Sequence, residues 1–218
     1  MNTVNPGLFL ENQFPRHLWP LVPTTLRTAY AAARELADSD PILQIESAQD
    51  NHGRLIAWAT DLGFKRLIET GQLPYDFRWK PFASPTGRYL EIQLSHSIVT
   101  ISQVVDPKKQ PRSVRFRENA RLNNEPFFDL PEFSDEQEIK GLPHFLIVHG
   151  HQSLTFAHLA VPHPHHNRDY RFKSENLMTL PHAVPKTGPD EEDTDTEFEE
   201  TNLLKVEIEK WRRDNEAQ

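Results

Sequence analysis

Apolar residues first recur with a helical period. Leu26, Ala29, Tyr30, Ala33, Leu36 and Ala37 share one face of a helix, and Arg27, Arg34 and Glu35 share the other. Thr24, after Pro23, is a competent N-cap. Asp38-Ser39-Asp40-Pro41 ends the segment, because a residue before proline avoids the α region. A second helix is predicted from about Asn51 to Leu62, with Leu55, Ile56, Trp58, Ala59 and Leu62 as its apolar members and Gly63 as its terminator. A short third turn, Lys65 to Thr70, is predicted to stop at Gly71.

The period then changes to two. Leu90, Ile92 and Leu94 alternate with polar neighbours and predict a strand. Ser95-His96-Ser97 makes a turn, and Ile98 to Val105, rich in β-branched residues, is the return strand broken by Asp106-Pro107. Residues 107–143 read as an irregular region. Phe145 to His149 and Ser153 to Val161 predict a second hairpin around Gly150-His151-Gln152. The pattern is that of an α+β domain over residues 10–182, with N-terminal helices packed on an antiparallel β meander. Beyond Val161 periodicity fades among Pro162, Pro164, Pro181, Pro185 and Pro189. Residues 183–201 are expected to be an acidic linker without fixed structure. Residues 202–218 regain a one-sided helical pattern through Leu204, Ile208 and Trp211, a face that can dock on its own domain or on a protein partner.

Composition sharpens this outline. A 37% apolar share with 18 prolines implies a modest core and long loops. The lack of cysteine excludes disulfides and thiolate metal sites and fits a cytoplasmic setting. No apolar run reaches the ~20 residues of a membrane helix, and the first residues lack a signal-peptide pattern, so no membrane partner is expected. The net charge of −8 resides in one place. Asp190 to Glu200 holds eight acids and no base, and without that run the chain is formally neutral. An opposing block, Lys108, Lys109, Arg112, Arg115, Arg117 and Arg121, contains a single acid, Glu118.

Eight of the eleven histidines fall between His144 and His182. His163, His165 and His166 are candidate ligands for a divalent metal, since neutral imidazole suits zinc, copper or nickel. His158 at the end of a hairpin strand, followed by Asn176 and His182, resembles in outline the HNH nucleases over about 25 residues. The resemblance implies His158 as general base, Asn176 as a helper and His182 as a cation ligand, the chemistry needed to cut a phosphodiester. This chain departs from the pattern. Ala157 stands where the family commonly has an acid or histidine, and Pro181 interrupts the metal-binding helix. Asp76 with Glu91-Ile92-Gln93 is similar to the acid set of restriction-type nucleases, with glutamine in place of lysine. Phosphate loops, dinucleotide fingerprints, nucleophile elbows and zinc-protease pairs are missing from the sequence.

The leading expectation concerns the basic block. Arginine forks suit phosphate oxygens, and Phe116 among them can stack on an unpaired base. In an extended chain Arg115 and Arg117 would share one side, with Arg121 a turn beyond. A binding module for DNA, RNA or another polyanion is therefore expected, with the acidic run 190–200 competing for the same loop. A metal-dependent phosphodiesterase and a protein-interaction module built on the C-terminal helix are the alternatives.

Overall fold

The computed structural model describes residues 5–82, 87–124, 141–166 and 168–181. The acidic linker, the C-terminal helix with Leu204, Ile208 and Trp211, and His182 lie outside the described residues.

Four helices lead: α1 (Pro6–Gln13), α2 (Leu21–Ser39), the single turn α3 (Glu46–Gln49) and α4 (His52–Glu69). Asn5 caps α1 by accepting from the Gly7 and Leu8 amides. The longest two, α2 and α4, pack against each other through Ala29, Ala33, Leu36, Leu55, Ile56 and Ala59. Their small residues permit close approach of the backbones. Gly63 does not end α4 as its sequence context suggests. It lies inside the helix, and a Cβ there would sit 2.7 Å from Thr25 Cγ2 of α2. The predicted separate turn after it is the last turns of the same helix.

The sheet has six strands in sequential order: β1 (Asp76–Pro81), β2 (Arg88–Gln93), β3 (Ile98–Val104), β4 (His144–Gly150), β5 (Ala157–Pro162) and β6 (Tyr170–Lys173). All neighbours are antiparallel except β3 and β4. The expected meander is thus corrected at its centre. β3 and β4 run parallel, with Ile98 opposite His144 and Val104 opposite Gly150. A parallel pair requires a crossover, and the stretch expected to be irregular carries one, including a fifth helix, α5 (Arg115–Leu122).

Cross-strand partners share a face, which sorts the sheet into two sides. Leu90, Ile92, Val99, Phe145, Ile147, Ala157, Leu159 and Val161 face the helices and form the main core with Leu10, Phe14, Val22, Leu26 and Phe64. The opposite side carries Glu91, Thr100, Ser102, His144, Leu146, Val148, His158 and Ala160, and these too are buried. β4 is buried along its whole length, as expected for a central strand covered on both faces. No helix among the described residues is long and apolar enough to cross a membrane.

Candidate polyanion-binding site

The second side of the sheet is covered by the basic segment. Its backbone is held down by side chains of β6, and its own Gln110 reaches the loop before that strand. Tyr170 Oη donates to Lys109 O at 2.6 Å, and Lys173 Nζ donates to Pro107 O at 3.0 Å. Gln110 Nε2 donates to His166 O and Asp169 O. The strap is therefore fixed through its carbonyls at Pro107 and Lys109 and through the Gln110 side chain, and Arg117 Nη1 donates to Arg112 O at 3.0 Å. Lys108, Lys109, Arg112 and Arg115 point to solvent.

The rest of the segment is helical, not extended. α5 starts at Arg115 after the extended residue Val114. This changes the geometry expected of the arginines. Arg117 and Arg121, four apart, share a face of α5 and turn inward, whereas Arg115 stays outside. Phe116 stacks on Tyr89 of β2 at 4.1 Å between ring centroids, and Phe82 lies 5.5 Å from it. Its ring has an internal partner and fastens the start of α5 to the sheet. Asn124 fastens the other end. Fully buried, it accepts from His144 N at 2.6 Å and donates to His144 O and Pro162 O.

Between α5 and β4 lies a cleft lined by Ser113, Arg117, Glu118, Arg121, His144 and Leu146. Its internal space, about 10 Å³, holds one water-sized guest. His144 is 1% exposed. Its Nε2 lies 2.9 Å from Thr100 Oγ1, while Nδ1 is buried and lacks a partner. Burial, assisted by the Arg117 charge, lowers the His144 pKa to about 3, so the ring is neutral. Arg117 Nε and Arg121 Nε are likewise buried without partners. Burial, with repulsion from Arg112, lowers the Arg117 pKa to about 10.

Among the described residues, ion pairing leaves most of the block unneutralised. Lys109 sits 3.9 Å from Asp106 on the surface. Among the described residues, no carboxylate lies within ion-pair distance of Arg112, Arg115, Arg117 or Arg121. Two cations missed in the sequence, Arg78 and Lys80, extend the same side of the sheet on β1, and Lys80 lies 3.9 Å from Glu91. The alternation of Asp76, Arg78 and Lys80 with Phe77 and Trp79 was the signal that would have placed them together.

The hydrolytic candidates have other surroundings. His158 is 7% exposed on β5, and its Nδ1 lies 2.9 Å from Ser174 O. Nδ1 faces two carbonyl oxygens, of Ser174 and Glu175, and is therefore the donor, and burial lowers the pKa of the ring. Asn176 spends its amide on backbone: Oδ1 accepts from Ala157 N and Met178 N, and Nδ2 donates to Thr155 O. It caps a 3-10 turn, Leu177–Thr179, in place of the longer helix that a cation-binding histidine requires. His163 and His166 are stacked at 3.8 Å with 14° between their planes, and His163 Nδ1 accepts from His165 N. The nitrogen lone pair that binds a metal lies in the imidazole plane, so stacked rings do not converge on one ion. Among the described residues, no group of three or more histidine or carboxylate side chains is placed to hold a metal. Asp76 lies opposite Gln93 in the β1/β2 ladder, with Glu91 on the same side opposite Arg78.

The chain matches no known protein family, no curated protein and no solved structure.

Proposed function

We propose that the protein binds a phosphate-bearing polymer, DNA or RNA, through the strap and α5. The observation that carries this reading is a pinned backbone presenting guanidinium groups that no described carboxylate neutralises. Gln110, Tyr170 and Lys173 pin the segment, and Arg112 and Arg115 stand outside it with no described carboxylate in reach. A structural strap would gain nothing from exposed arginines that no described carboxylate reaches. A phosphate-binding one gains by releasing counterions from the polymer. Arg78 and Lys80 on the neighbouring strand lengthen the basic track.

The test is the salt dependence of binding to a fluorescent oligonucleotide. Four contacts, from Lys108, Arg112, Arg115 and one neighbour, give a log–log slope of about −3.6 on duplex DNA, or a loss of roughly 100-fold from 50 to 200 mM salt. Arg112→Ala with Arg115→Ala should make the slope shallower by about 2 without unfolding the protein, since both side chains are exposed. An unchanged slope in the double variant overturns the assignment. Magnesium-dependent shortening of the oligonucleotide, lost in His158→Ala, would move it to a phosphodiesterase.

A further inference from the structure

The basic track runs past one aromatic side chain that the anchoring of α5 does not use up. Phe82 continues β1, since its amide donates to Gly87 O at 2.9 Å. By alternation its ring shares the side of Arg78 and Lys80, which is also the side that α5 covers. Three aromatics meet there, Phe82, Tyr89 and Phe116, and none belongs to the described hydrophobic core clusters. Tyr89 and Phe116 satisfy each other. Their rings stack at 4.1 Å between centroids, and the Arg117 guanidinium lies 4.9 Å from the centre of Phe116. Phe82 is placed differently. Its ring lies 5.2 Å from Tyr89 and 5.5 Å from Phe116, tilted by 36° and 57°, so neither is laid parallel against it. Its cross-strand neighbour is Gly87, which has no side chain to cover it. The residue stays 36% exposed.

We infer that Phe82 is a stacking platform for a base of a single-stranded nucleic acid. The inference rests on the reading of the strap as a phosphate-contacting surface, and it names the form of polymer that this surface prefers. Lys80 stands two residues before Phe82 on the same side, and Arg115 directly precedes Phe116. A strand whose phosphates follow these cations carries its bases past the ring. In a duplex the base faces are stacked on one another, and only groove edges and backbone are presented. A single strand can turn a base face outward, and every base has one, so the contact is tolerant of sequence. β1 is the outermost strand of the described sheet, which leaves the approach open from that edge. Trp79 is exposed to a similar degree, 38%, but alternation puts it on the other side of the sheet, away from Arg78 and Lys80. It is therefore the matched control.

The experiment uses the full chain at fixed salt and three fluorescent probes of equal length: a mixed-sequence DNA single strand, the same backbone with every base removed, and the duplex. The single strand should bind about tenfold more tightly than the abasic strand of equal charge, the effect of one stacked base. Phe82→Leu should erase that advantage while abasic and duplex binding stay as they were. Phe82→Trp, which keeps an aromatic face, and Trp79→Leu, on the opposite side, should both retain it. The salt slope of the single strand should be the same in Phe82→Leu as in the parent, because no charge is lost. Equal, salt-dependent affinity for the single and abasic strands overturns the platform and leaves the strap assignment standing. An advantage that survives Phe82→Leu also overturns the platform, as does a Phe82→Leu variant that weakens all three probes alike, which assigns the ring to the fold. If no probe binds, the strap assignment fails and the platform fails with it.

Discussion

Asn124 should be among the most sensitive polar positions in the molecule, and its replacement by alanine tests how α5 is tied to the sheet. The side chain is fully buried and makes three hydrogen bonds, one accepted from His144 N and two donated to His144 O and Pro162 O. It joins the end of α5 to the start of β4 and the end of β5. In Asn124→Ala the His144 amide loses its acceptor, which costs about 2 kcal/mol for a buried donor, and the two carbonyls lose about 0.5–1 kcal/mol each. The total is about 3–4 kcal/mol, a large fraction of ordinary domain stability. With a urea slope of about 2 kcal/mol/M, the midpoint falls by roughly 1.5–2 M. Unfolding is followed by tryptophan fluorescence, with buried Trp19 reporting on the helical layer, and by far-UV circular dichroism as a second probe. Asn124→Asp separates acceptor from donors. It keeps an oxygen for His144 N but turns a carboxylate toward two carbonyls, so it should be least stable at neutral pH and recover as acid protonates it. A midpoint shift below about 0.5 M in Asn124→Ala would refute the argument that this residue locks the crossover.

Three further outcomes follow from the same structure. Gly63→Ala should destabilise by about 1 kcal/mol, the reverse of the ~1 kcal/mol gain expected in an exposed helix, because the new methyl meets Thr25 Cγ2, whose hydroxyl is bonded to Leu21 O; a rise in melting temperature would contradict this. Stability should rise with pH across the window from 4.5 to 6, at about 1.4 kcal/mol per pH unit. Burial lowers the pKa of both His144 and His149 from 6.5 to about 3, so the unfolded chain holds two protons there that the folded one lacks. Burial raises Asp61 from 3.8 to about 7, so the folded chain holds one proton that the unfolded one lacks, and the net is a single proton. Asp61→Asn removes that opposing proton and should steepen the dependence to about 2.7 kcal/mol per pH unit, as read from urea midpoints at pH 5 and 6; an unchanged slope would show that Asp61 titrates normally. The same variant should be more stable than the parent at pH 8, by about 1–3 kcal/mol because part of the residue stays in contact with water, and should show no such gain at pH 3.

The periodicity of the chain was enough to locate α2, most of α4, the β2–β3 hairpin and β4, because each has one apolar stripe or run answering to one dominant layer. It was also enough to mark 107–121 as the charged segment. Other features depended on partners far away in sequence. The parallel pairing of β3 with β4 is invisible to local pattern, since either orientation buries the same residues. The inward face of α5 consists of the half-buried Arg117 and Arg121 beside Phe116, a set that composition reads as polar loop. Thr100, Ser102, His144 and Asn124 are polar by type and buried by placement, because a second cover lies over the sheet. The cleft exists only where that cover meets β4. The sequence alone therefore determined which segments could fold and where the positive charge would be. The tertiary structure decided which arginines face water and which face a buried histidine, since that depends on the direction in which a short helix crosses a sheet.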